Sequence, residues 1–95
     1  MNLSSFKESL VNREPPKNSS AYLKALWHDA KGEWGKAHGL IQDIGDKNAS
    51  WIHGYLHRKE GDTANADYWY RRSGKTTPSG SLEKEWDEIV TALID

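Results

Sequence analysis

The feature that most limits what this chain can become is a bend that occurs twice. His28-x-x-x-Gly32-Glu33 followed by Ala37 recurs as His57-x-x-x-Gly61-Asp62 followed by Ala66, with identical internal spacing and an offset of 29 residues. Each part has a physical task. The glycine ends one helix in the left-handed region that other residues avoid. The acid opens the next helix, where a carboxylate suits the positive end of the dipole. The alanine, four residues further on, lets the two helices approach closely. A repeated bend of this kind implies paired antiparallel helices, because short connections force neighbours to run in opposite directions.

The periodicity on either side agrees. Leu3, Phe6 and Leu10 predict a short helix from Ser4 to Arg13, capped by Ser4 or Ser5 and ended by Pro15-Pro16. A second helix runs from a Ser19 or Ser20 cap to about Lys31, with Tyr22, Leu26 and Ala30 on one face. A third carries Trp34, Ala37, Ile41 and Ile44 and stops at Gly45; a fourth starts near Asn48 and carries Trp51, Ile52, Tyr55 and Leu56. The fifth, capped by Asp62 or Thr63, holds Ala64, Ala66, Trp69 and Tyr70. Gly74 to Gly80 is a breaker-rich loop. After a Ser79 or Ser81 cap, Leu82, Trp86, Ile89, Val90 and Leu93 form an apolar stripe, and Glu83, Glu85, Asp87 and Glu88 read as its solvated face. No stretch alternates over strand length. The fold class is therefore all-α, a single domain over 1–95: an N-terminal helix or arm (1–18), hairpin 1 (19–45), hairpin 2 (47–78) and a capping helix (80–95).

Composition narrows the function. A net charge of -1 gives no global drive toward nucleic acid or anionic membranes. The absence of cysteine excludes disulfides, thiolate zinc sites and a thiol nucleophile. No apolar run approaches the roughly 20 residues of a membrane span, and the N-terminus lacks the apolar core of a signal peptide. The expectation is a soluble cytoplasmic protein. Mean hydropathy is -0.88, so five tryptophans and four tyrosines must supply much of the core.

The second copy is similar to tetratricopeptide and Sel1-like repeats. Gly54 stands where the first helix needs a small residue, Gly61 fills the turn, and Ala66, Tyr70 and Ser73 follow at the family's small–aromatic–small spacing. Ala66-Asp67-Tyr68-Trp69-Tyr70-Arg71-Arg72-Ser73 resembles the Sel1-like signature, and Pro78 falls where the family's proline ends the second helix. The chain departs from the pattern at His28 and His57, where the family has tyrosine, and at Ala25, which replaces the packing glycine. The resemblance spans about residues 20 to 78. It implies stacked hairpins whose first helices line a concave, partner-binding face.

Two functional readings follow. In the first, the chain is a non-catalytic interaction module for a protein or peptide, or for a second copy of itself. Trp51, Tyr55 and Arg58 from the second hairpin, with Asp29 and Tyr22 from the first, project from the binding face. No cofactor is required. In the second, His53 and His57 share a helix face four residues apart and His28 joins them, forming a three-histidine site for zinc or iron. The blander role for His28 and His57 is a hydrogen bond in the inter-helix seam. Trp34, Trp69 and Trp86 read as core, whereas Trp27 and Trp51 flank the groove. Arg58, Lys59, Arg71, Arg72 and Lys75, with Tyr55, Trp69 and Tyr70 between them, read as a face paired to acids such as those of the last helix. No nucleophile–base pair and no phosphate loop is present, since GEWGKAHG lacks the required spacing. No enzymatic activity is expected.

Overall fold

A computed structural model describes residues 1–94; Asp95, the last residue of the expected capping segment, lies outside them. Six α-helices are formed among the described residues: α1 (Leu3–Glu8), α2 (Ala21–Ala30), α3 (Trp34–Ile41), α4 (Lys47–Lys59), α5 (Thr63–Ser73) and α6 (Leu82–Leu93). A 3-10 turn, Ser9–Val11, follows α1. There is no strand among the described residues, and no helix is long and apolar enough to cross a membrane.

Both repeated bends are Schellman turns. Gly32 and Gly61 lie at φ +81° and +88°. In the first turn Glu33 N–H reaches back to His28 C=O and Gly32 N–H to Asp29 C=O, each at 2.9 Å. In the second, Asp62 N–H bonds His57 C=O at 2.9 Å and Gly61 N–H bonds Arg58 C=O at 3.1 Å. The orphan carbonyls at the helix ends are thereby satisfied by the turn itself. The copies differ at the next cap. Asp62 caps α5 by accepting from Asn65 N–H, whereas Glu33 makes no side-chain cap because its carboxylate is held by His28.

The bends close two helix pairs, α2 with α3 and α4 with α5, and α3 meets α4 between them. Gly54 lets α4 and α5 touch: a Cβ there would stand 3.2 Å from the Tyr70 ring and 3.3 Å from the Ala66 carbonyl. The core between the elements is formed by Leu23, Leu26, Trp27, Ile41, Ile52, Leu56, Tyr70, Ile89 and Val90. At about 25 cal/mol per Å² of apolar surface removed from water, the large aromatics among these contribute most.

The two ends of the chain meet. Phe6 is fully buried and packs on Trp86, with ring centroids 5.9 Å apart. Trp86 Nε1–H donates to Leu26 C=O at 3.0 Å, tying α6 to α2. The N-terminal segment is docked rather than a loose arm, since Trp27 Nε1–H also donates to Ser9 Oγ. Several boundaries move. Asn2, not Ser4 or Ser5, caps α1 through a capping box with Ser5. The third helix stops at Ile41, short of Gly45, and Asp46 caps the fourth, which begins at Lys47.

Candidate metal centre

Three imidazoles converge where α3 meets α4. His53 and His57 lie one turn apart on α4, and His38 reaches them from α3. His38 Nε2 and His53 Nε2 are 2.9 Å apart. The His53 and His57 rings lie nearly parallel at 4.9 Å, and His38 stands edge-on to both at 4.6 and 5.3 Å. One ring nitrogen from each histidine lies within 4.8 Å of the other two. Zinc binds imidazole nitrogen at about 2.0–2.1 Å, so ligands of a tetrahedral ion stand roughly 3.3 Å apart.

Tryptophans hold the rings. Trp34 stacks on His38 at 4.9 Å and 12°, and Trp69 stacks on His53 at 3.8 Å and 12°. Trp34 is itself fixed, because its Nε1–H donates to Leu56 C=O at 2.8 Å. Trp34 and Trp69 are therefore half-buried walls of the cluster rather than the central core expected from their spacing. Trp86, by contrast, is core, and so is Trp27, which was expected to flank a groove.

The protonation state favours ligation. Burial, with His38 and His57 beside it, lowers the His53 pKa to about 4. Burial and then His57 also hold His38 below the usual histidine range. Both rings are thus neutral at neutral pH, the form a metal requires. His57 Nδ1 pairs with the Glu60 carboxylate at 2.5 Å, which leaves Nε2 to face the cluster. A carboxylate on the far nitrogen is the usual outer-shell partner of a ligating histidine: it fixes the tautomer and raises ring basicity. Asn65 Nδ2 lies 3.4 Å from His57 Nε2, a long amide contact that an ion on that nitrogen would displace. His57, Glu60 and Asp62 also come together, but at an exposed turn where Glu60 already engages Nδ1.

The expected set of His28, His53 and His57 is corrected at one position. His28 does not join the other two; its Nδ1 pairs with Glu33 at 2.8 Å across the first bend. His38 takes its place. The repeat analogy drew attention to His28, whereas the α3–α4 contact, which the repeat does not encode, supplies the third ring.

The expected partner-binding face is also corrected. Trp51, Tyr55 and Asp29 do not project; all three are buried. Asp29 accepts from Tyr55 OH at 3.0 Å and pairs with Lys59 at 2.9 Å. Arg58 pairs with Glu85 at 2.9 Å and also donates to Gly80 C=O. Tyr22 is half-buried and its hydroxyl donates to Asp46. For Trp51 and Arg58 the residue responsible is Glu85. Read as solvated, it is 3% exposed and accepts from Tyr70 OH, Trp51 Nε1–H and Arg58. Through it α6 closes over α4. Of the rest of the basic run, Lys75 lies over the Trp51 ring and Arg72 over Tyr68 and Trp69.

No family model, curated protein or solved structure matches the chain.

Proposed function

We propose that the chain is a small transition-metal-binding domain, with His38, His53 and His57 as ligands and zinc as the ion. The observation that carries this reading is the convergence of three ring nitrogens from two different helices within 4.8 Å. An all-imidazole set suits Zn²⁺ better than the oxygen-seeking Mg²⁺ or Ca²⁺. The two Schellman-closed pairs support a tetratricopeptide-like scaffold beneath the site, with α6 as the cap. The interaction-module reading comes second. The face it would use is filled by α6, so a partner would have to displace Glu85 from Tyr70 and Arg58.

Isothermal titration of zinc into chelator-treated protein tests the metal reading. One ion per chain is expected, with binding lost in His38→Ala, His53→Ala and His57→Ala and retained in His28→Ala. Cobalt in place of zinc should give the visible absorption of a tetrahedral centre. Loss in His28→Ala with retention in His38→Ala, or no binding at all, refutes the site.

A further inference from the structure

The segment between α1 and α2 folds over the α2–α3 pair and leaves an open cleft of about 500 Å³ on the side of His28. Arg13, Lys17, Lys24 and Lys36 line it, with Glu14 the one carboxylate of the lining. In a chain with 13 basic and 14 acidic residues, this is a marked local excess of positive charge. Three cations elsewhere are ion-paired: Lys7 with Asp87, Arg58 with Glu85 and Lys59 with Asp29. Among the described residues, none of the four cleft cations takes part in an ion pair. His28, whose Nδ1 is engaged by Glu33, also lines the cleft.

The walls are set before anything binds. Pro15-Pro16 fix their own φ angles. Asn18 turns the chain at φ +65°, and Ser19 Oγ–H donates to Pro16 C=O at 2.6 Å. Lys31 Nζ donates to Leu10 C=O at 2.7 Å and Asn12 C=O at 3.2 Å, tying the start of the segment to α2. A wall that gathers four cations against the carboxylates of Glu14 and, beside Lys36, Glu33 keeps a net positive charge and concentrates anions from solution.

We propose that this cleft binds a small polyphosphate, a ligand carrying at least a diphosphate group. Four cations spread around a cleft of about 500 Å³ suit two linked phosphates, whose oxygens can take charge-assisted bonds from both walls together. The lining offers no aromatic side chain besides His28 on which a base could stack, so recognition falls on the phosphates. This inference is independent of the metal reading: the cleft shares no residue with the three-histidine cluster.

Titration of inorganic pyrophosphate into the full chain, followed by calorimetry, tests it. One equivalent should bind, more tightly than orthophosphate and with affinity falling as salt rises. The double variant Lys24→Glu, Lys36→Glu should weaken binding at least tenfold, while His53→Ala and the distant pair Lys47→Glu, Lys84→Glu leave it unchanged. Helical circular dichroism checks that each variant folds, and Arg13→Gln, Lys17→Gln provides a second pair on the opposite wall. Absence of binding, equal affinity for orthophosphate, or equal loss in the distant pair overturns the proposal. Loss in His53→Ala would place the anion on the metal centre and also overturns it.

Discussion

Replacing Glu85 by leucine should be the most damaging single change on α6, although the residue follows an acidic pattern that otherwise faces water. Its side chain is 2% exposed. The carboxylate oxygens accept from Tyr70 OH at 2.8 and 2.7 Å, from Arg58 at 2.9 Å and from Trp51 Nε1–H at 3.3 Å. Burial, reinforced by this bond, pushes the Tyr70 phenol well above its usual range, so it remains a donor that needs an acceptor. Leucine leaves two buried donors unmet, each costing about 1–3 kcal/mol. Arg58 is partly solvated and adds less. The new apolar side chain returns roughly 1–2 kcal/mol of burial. The net loss is about 3 kcal/mol, which lowers the melting temperature of a domain this size by roughly 12–24 °C. Urea denaturation followed by circular dichroism measures the loss. Glu83→Leu and Glu88→Leu, on the exposed side of the helix, should stay within about 0.5 kcal/mol of the parent. Combining Glu85→Leu with Tyr70→Phe should recover about 1–2 kcal/mol of coupling. A loss below 1 kcal/mol, or no coupling, would show that Glu85 does not hold the helix in the way its contacts imply.

Three further outcomes can be measured. The folded-state pKa of His53 is depressed to about 4, so the unfolded chain binds the extra proton; metal-free protein should keep full stability above about pH 6.5 and lose it as pH falls toward 4. With allowance for solvent at the half-buried His38 side, the loss is about 2 kcal/mol, and denaturation of His53→Gln should show a flatter pH profile. Gly54→Ala forces a methyl against the Tyr70 ring and the Ala66 carbonyl, so despite alanine's better helix propensity it should destabilise by about 1–2 kcal/mol; equal or higher stability would mean that α5 yields easily. Glu60→Gln should weaken zinc binding by about tenfold while circular dichroism is unchanged, through loss of the carboxylate on His57 Nδ1.

The elements that local chemistry dictates were legible in the sequence. Gly32 and Gly61 act where spacing placed them, Ser20, Asp62 and Ser81 are the capping member of each expected pair, and Gly54 is the small residue the repeat resemblance implied, here against Tyr70. What spacing within one helix cannot show is which helix lies opposite. His38 belongs to the site because α3 abuts α4, and its repeat equivalent, Asp67, carries no such hint. Trp51 and Tyr55 have the positions of projecting groove residues, yet a helix from beyond the repeats covers them. Glu85 had a signal that went unused. It falls three residues after Leu82 and four before Ile89, inside the apolar stripe rather than beside it. A carboxylate on that line had to find buried donors.

The three rings do not belong to one half of the chain. His38 comes from the pair closed at Gly32, His53 and His57 from the pair closed at Gly61, and His57 also lends its carbonyl to that second turn. An ion seated among them would act as a rivet through both halves, so that neither could peel away without first surrendering the metal. Unfolding of the loaded protein should then be a single event, and chelation should loosen the seam between the halves before it loosens either hairpin.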